Sequence, residues 1–191
     1  MTSNTLRWAV FVSGEGSNLQ NVLDLEAAGA LKNQVVIAVH ADRECPGIAR
    51  ARNYKKAIFV ESPKQAQFED HLLEFLAENR IDRLLLLGYM RILKGSFLRR
   101  WAKPVINLHP SLLPRYPGLN AIDQALQAGD REIGVTLHEV VEQVDAGPIL
   151  KQYRLEVVPG VSRDDIVMQV HQRERELVRD FLVELDSAIP H

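Results

Sequence analysis

One cysteine, Cys45, stands in a chain of 191 residues, so no disulfide can form within it and a thiolate metal site is excluded in practice. No excess of either charge is present. The formal net charge is −2 with acids and bases interspersed, which argues against a nucleic-acid footprint or a basic membrane face. Arg99-Arg100 and the Arg173/Arg175 pair are short enough to be solvated helix faces. No apolar run reaches the length of a bilayer span, and Met1 to Asn4 is a short polar start without signal-peptide character. Repeats, low-complexity segments and an interdomain linker are also missing. These absences predict one reduced domain with a sizeable core, cytoplasmic, with small-molecule partners, as a monomer or homodimer.

What is present is a regular alternation. Apolar runs over 8–12, 35–39, 57–60, 84–87 and 105–108 read as strands, and the patterns over 17–28, 46–53, 65–79 and 93–101 read as helices. Pro46 suits a first helical turn. Past this point a helix over 121–128 is closed by Gly129, and two longer strands, 132–140 and 149–157, flank a loop containing Asp145-Ala146-Gly147-Pro148. Ser162-Arg163-Asp164-Asp165 resembles a capping box ahead of a long helix over 164–185. The order predicts a single-domain α/β fold over 1–191. It is a Rossmann-like, mostly parallel twisted sheet with helices on both faces and an antiparallel strand pair near the C-terminal part.

Asn107 and His109 stand two residues apart at the end of the 105–108 strand, which points both side chains to one face. Pro110, Ser111 and Pro114 then turn the chain away. An amide donor beside a titratable ring can stabilise and protonate a developing oxyanion. Asp145, on its turn, is either a turn former or the carboxylate that favours the charged form of His109. His138 reads as a hydrogen-bonded structural residue, and His40, His71, His171 and His191 show no metal-ligand spacing, so no metal is expected. Ser111 lacks an esterase nucleophile's setting and reads as a turn residue.

Ser13-Gly14-Glu15-Gly16-Ser17-Asn18 joins the first strand to the first helix. It is either a phosphate-binding turn at a helix N-terminus or a plain turn capped by Ser17 or Asn18. A dinucleotide fingerprint needs a third glycine where Leu19 stands, although Asp42 ends the second strand as such a fold would want. No Gly-Lys-Ser/Thr follows, which excludes a Walker loop. A single phosphate fits this turn better than a dinucleotide.

Four blocks together carry a resemblance: Ser13-Gly-Glu-Gly-Ser-Asn-Leu-Gln20, Gly88-Tyr-Met-Arg-Ile-Leu93, Ile106-Asn-Leu-His-Pro-Ser-Leu-Leu-Pro114, and Gly134-Val-Thr-Leu-His138 followed by Val144-Asp-Ala-Gly-Pro148. In this order, over nearly the whole chain, they resemble the folate-dependent glycinamide ribonucleotide formyltransferases of purine synthesis. The resemblance implies transfer of the formyl group of 10-formyltetrahydrofolate, the co-substrate, to the amine of 5′-phosphoribosylglycinamide. It implies Asn107, His109 and Asp145 as the catalytic trio, with Asp145 acting on His109 directly or through an ordered water. Gly16, Ser17, Asn18 and Glu174 would hold the phosphorylated amine. Met90, Arg91, Ile92, Leu93, Asn107 and Val144 would hold the folate, with the 141–145 loop closing over its pterin. Where the family often has a base three residues before the phenylalanine matching Phe68, this chain has Gln65, and Lys64 is the neighbouring candidate. The part over about 1–103 would then bind the phosphate and nucleotide, and that over about 104–191 the folate and the chemistry. The competing readings are a formyltetrahydrofolate hydrolase, a formyltransferase acting on another amine, and a non-catalytic nucleotide-binding module.

Overall fold

Residues 8–12 alternate Trp, Ala, Val, Phe, Val, all apolar, which only a strand covered on both faces can bury. A computed structural model describes residues 5–189, so the polar start and His191 lie outside the described residues. In it Leu6–Val12 forms β1, an interior strand of a seven-stranded sheet. The others are β2 (Gln34–Ala41), β3 (Ala57–Val60), β4 (Arg83–Leu86), β5 (Val105–His109), β6 (Glu132–Glu139) and β7 (Ile149–Glu156), in the order β3-β2-β1-β4-β5-β6-β7. The first five pair in parallel, and β6 and β7 run antiparallel at one side, as the strand pattern predicts.

Two cores follow from the period of two. Trp8, Val10 and Val12 pack beneath α1 (Ser17–Ala27), α2 (Pro46–Asn53), α5 (Ala121–Gln127) and α6 (Arg163–Ala188). Ala9 and Phe11 face α3 (Phe68–Glu78) and α4 (Gly95–Trp101) on the other side. Burying one such Leu, Val or Phe side chain contributes about 1.5–3 kcal/mol. Among the described residues no helix is long and apolar enough to cross a membrane.

Helix starts differ most from the sequence pattern. The third helix begins at Phe68 and not at 65, because two successive tight turns, Gln65 N–H to Ser62 and Phe68 N–H to Gln65, occupy the segment before it. The fourth begins at Gly95 and not at 93, since Lys94 is extended and caps it. The capping reading holds at α6. The Ser162 hydroxyl accepts from the Asp165 N–H at 3.2 Å and donates to the Asp165 carboxylate at 2.7 Å.

Strand order decides where a ligand can sit. β1 and β4 are neighbours, but the chain leaves them in opposite directions, toward β2 and toward β5. That is a topological switch point, and its crevice opens at the carboxyl ends of the strands. The Gly-rich turn after β1, the 88–94 segment after β4 and the end of β5 all lie on that edge.

Candidate active site

The C-terminal half of β5 brings Asn107 and His109 to the same side as buried Val105, as the alternation requires. Antiparallel pairing sets His138 of β6 opposite Asn107, and Thr136 opposite His109. Thr136 braces the turn beyond β5. Its hydroxyl donates to the Ser111 carbonyl at 2.6 Å, and Gln152 of β7 donates to Thr136 and to the Leu113 carbonyl. Ser111 itself is a turn residue, donating to the Arg115 carbonyl at 2.6 Å.

Asp145 reaches this pair from the β6–β7 connection. It sits at φ 51°, a left-handed conformation that Asp tolerates better than most residues. One carboxylate oxygen lies 3.3 Å from His109 Nδ1 and accepts the Gly118 N–H at 2.8 Å. The other lies 3.4 Å from His138 Nε2 and 3.5 Å from Asn107 Nδ2. The contact with His109 is direct and needs no bridging water. Burial alone would raise the Asp145 pKa. The His138 hydrogen bond, the Gly118 N–H and the His109 and His138 charges outweigh it and pull it down to about 2. Asp145 is therefore an anion throughout the neutral range, more than a turn former.

The ring partners assign the working atoms. His109 Nε2 lies 2.9 Å from the Tyr116 carbonyl, which can only accept. That hydrogen is fixed in either protonation state, so the proton gained or lost sits on Nδ1, facing Asp145. His138 Nδ1 is likewise committed to the Glu139 carbonyl at 2.8 Å. Its Nε2 lies 3.1 Å from Asn107 Nδ2 and accepts from that amide when the ring is neutral. His138 is thus a buried, hydrogen-bonded residue, as its sequence reading has it, and it sits against Asn107 and Asp145. Its signal lay in the two-residue spacing from Thr136, mirroring Asn107 and His109. Sequence alone does not give the register that sets the two pairs opposite each other.

The Gly-rich turn leaves the N–H groups at the start of α1 without a side-chain cap. Gly16, at φ 70°, is the N-cap of α1, and no side chain caps this helix, which corrects the alternative of a Ser17 or Asn18 cap. The first intrahelical bond runs from Gln20 N–H to the Gly16 carbonyl, leaving the amides before it without intrahelical partners. A Cβ on Gly16 would lie 2.7 Å from the Gly47 Cα. Gly16→Ala is therefore expected to cost about 1–3 kcal/mol in denaturant unfolding from the left-handed backbone and the clash. It should also raise the KM for a phosphorylated substrate more than that for the other substrate.

Glu174 of α6 arrives beside this turn. It is buried and accepts from Asn18 Nδ2 at 3.0 Å and from His171 Nδ1 at 2.9 Å. The pair with Glu174 raises the His171 pKa despite partial burial. The Asn18 side-chain oxygen, Oδ1, is buried and has no partner. Two groups that would meet only in the folded chain, 156 residues apart, thus share one corner.

Between β1 and β5, the 88–94 segment forms a wall. Met90 and Ile92 are exposed apolar side chains, Leu93 is buried, and the Met90 N–H donates to the Ser13 hydroxyl at 2.9 Å. The Arg91 Nε donates to the buried Asp42 carboxylate at 2.7 Å, and Arg43 adds a second contact at 3.0 Å. Burial pushes the Asp42 pKa up, but bonds from Arg91 and Ser13 and the arginine charges leave it below its ordinary value. Next to this wall is a cleft of about 300 Å³ lined by Pro63, Gln65, Ala66, Phe68, Tyr89, Ile92, Leu93 and Lys94. Lys64 is not among its lining residues, because the 62–65 turn leaves it exposed and outside, and Lys94 is the lysine on the wall. Val144 is exposed on the loop before Asp145, and Glu142 of that loop pairs with Arg99 of α4. Among the described residues no group of three or more His, Cys, Asp or Glu is placed to hold a metal ion.

A family model described as formyl transferase matches residues 6–182. The phosphoribosylglycinamide formyltransferase of Haemophilus influenzae is 34% identical over 173 residues, spanning 88% of this chain and 82% of that protein. The Escherichia coli protein of the same name is 35% identical over 169 residues, 86% of this chain and 80% of its own. Among solved structures, glycinamide ribonucleotide transformylase 1 from Geobacillus kaustophilus superposes with a TM-score of 0.88 at 38% identity, covering 95% of this chain and 98% of that one.

Proposed function

The chain belongs to the formyl transferase family, and from that premise we infer that it carries the formyl group of 10-formyltetrahydrofolate to the primary amine of 5′-phosphoribosylglycinamide, in purine (IMP) biosynthesis. The products are formylglycinamide ribonucleotide and tetrahydrofolate. The observation that carries this reading is the grouping of Asn107, His109 and His138 round the Asp145 carboxylate. It lies on the same sheet edge as the uncapped turn at Gly16.

The amine nitrogen attacks the formyl carbon, and the C=O electron pair moves onto oxygen. Asn107 Nδ2 donates to that oxyanion, and protonated His109, its Nδ1–H still facing Asp145, supports it electrostatically. The attacking nitrogen then loses a proton, the folate N10 gains one, and the C–N10 bond breaks. His109 assists that proton transfer, and anionic Asp145 orients the ring. No covalent enzyme intermediate is needed.

Gly16, Ser17 and Asn18 hold the substrate phosphate at the start of α1, and Glu174 contacts the sugar end of the same substrate. Met90, Arg91, Ile92, Leu93 and Val144 bind the folate. Lys94, on the cleft wall, joins Lys64 as a candidate base for the folate's acidic tail. A reducing cytoplasm suits the single cysteine.

The test is the absorbance change on loss of the folate's formyl group, measured with and without phosphoribosylglycinamide. Turnover is expected only with the amine, with formylated product in equal amount. Folate release at the same rate in water alone would make the chain a hydrolase.

A further inference from the structure

Asp42 directly follows β2, where a dinucleotide fold places its ribose-binding acid, but here the carboxylate is sealed from solvent. Its side chain is 1% exposed, against 43% for Arg91. Arg91 Nε donates to one of its oxygens at 2.7 Å, and an Arg43 terminal nitrogen donates to the same oxygen at 3.0 Å. The other Arg43 terminal nitrogen donates to the Ser13 carbonyl at 3.0 Å. Burying a carboxylate is costly unless it is paired. Arg43, the next residue, meets that need locally. The bond from Arg91, 49 residues on, serves something more.

Arg91 belongs to a segment with little else to hold it. Between β4 and α4, and among the described residues, 88–93 make no backbone–backbone hydrogen bond. Tyr89 and Leu93 are buried, while Met90 and Ile92 are exposed. Three polar tethers fix the stretch. The Tyr89 hydroxyl lies 3.0 Å from His40 Nε2, the Met90 N–H donates to the Ser13 hydroxyl at 2.9 Å, and Arg91 reaches Asp42. His40 Nδ1 is committed to the Phe59 carbonyl at 3.0 Å, and burial lowers its pKa to about 4, so the neutral ring accepts from Tyr89. All three anchors stand at the carboxyl ends of β1 and β2. Only the third joins full charges, and a charge-assisted bond is about twice as strong as a neutral one. The backbone N–H and C=O groups of Arg91 and Ile92 have no protein partner and are available to a ligand. Their placement depends on what holds the segment.

We propose that Asp42 is a positioning residue for the folate: it acts through Arg91 and fixes the 91–93 backbone in the arrangement that the folate binds. This rests on the reading of 90–93 as a folate-binding segment. The acid at the end of β2 thus serves a ligand it never touches.

Steady-state kinetics in both substrates tests this. Asp42→Asn keeps the shape and removes the charge. It should raise the KM for 10-formyltetrahydrofolate about tenfold, the size of one charge-assisted contact. It should leave kcat and the KM of the amine within about twofold. Arg91→Gln, made on the exposed side of the pair, should raise the folate KM by a similar factor, and it reads the same contact if Asp42→Asn fails to fold. Arg91→Lys keeps the charge and should recover part of the loss. The double variant Asp42→Asn/Arg91→Gln should be no worse than either single one, because both remove one interaction. Losses that multiply in the double variant would overturn the proposal, since Asp42 would then act apart from Arg91. A raised amine KM with the folate KM unchanged would overturn it by moving the role to Arg43 and the Ser13 turn. A lower melting temperature with both KM values unchanged would make Asp42 a brace of the fold alone. Ile92→Ser separates the underlying reading. An unchanged folate KM in Ile92→Ser would overturn the folate reading of the segment, and the role of Asp42 with it. A raised folate KM in Ile92→Ser beside an unchanged one in Asp42→Asn would overturn the role of Asp42 only.

Discussion

Asp145→Asn lowers kcat about 10³- to 10⁴-fold, with the KM values of both substrates changed only a few-fold. The replacement is nearly isosteric, so the loss comes from charge. In the native site the carboxylate faces His109 Nδ1 at 3.3 Å and His138 Nε2 at 3.4 Å. An amide there offers one carbonyl oxygen to two rings, and its NH2 group must point at one of them or at the Gly118 N–H. His109 then loses the carboxylate that orients its ring, and the oxyanion loses a properly placed partner. Steady-state kinetics with both substrates saturating reads the effect directly. Loss of binding with kcat intact would instead make Asp145 a binding residue.

The same substitution changes acid stability in a defined window. The folded pKa of Asp145 is about 2, against an ordinary value of 3.8. A depressed carboxylate stabilises the fold fully above its unfolded pKa and loses that contribution as pH falls toward the folded one. The contribution is about 2 kcal/mol by the usual conversion. The stability difference between the native chain and Asp145→Asn should therefore shrink between about pH 4 and pH 2, as followed by urea unfolding at stepped pH.

Asn107 carries the second large effect. Removing the donor in Asn107→Ala should lower kcat about 10²- to 10³-fold, the size found for a single oxyanion donor. Asn107→Asp should be worse than alanine although it is closer in shape. It replaces an N–H by an acceptor and sets a second carboxyl within 3.5 Å of Asp145. Two carboxyls at that range repel and compete for one proton. Asn107→Asp should then regain activity as pH is lowered and its carboxyl is protonated, whereas Asn107→Ala should not. An aspartate variant as active as native protein at neutral pH would remove Asn107 from the oxyanion site.

Local chemistry made much of this legible. The alternation in residues 105–109 set Asn107 and His109 on one face, and the βα rhythm implied the parallel sheet with its antiparallel pair. The βα turn at Gly16 was visible, but its choice between capped helix and open cradle depended on Gly47, 31 residues on, which only tertiary packing brings near. His138 and the Tyr116 carbonyl were hidden for the same reason. The first needs the β5–β6 register, and the second is a backbone group whose direction no side-chain pattern records. Which way Lys64 faces was also hidden, since the tight turn at 62–65 sets its direction.

The sheet order has a metric consequence. The turn that would anchor the phosphate leaves β1, the reacting pair ends β5, and β4 alone lies between them. Two interstrand spacings separate them, about 10 Å. The hydrogen-bonded backbone sets that interval, so side-chain adjustment cannot shorten it. The sheet works as a caliper, gauging an acceptor by the length from its phosphate to its amine before any group on it is recognised.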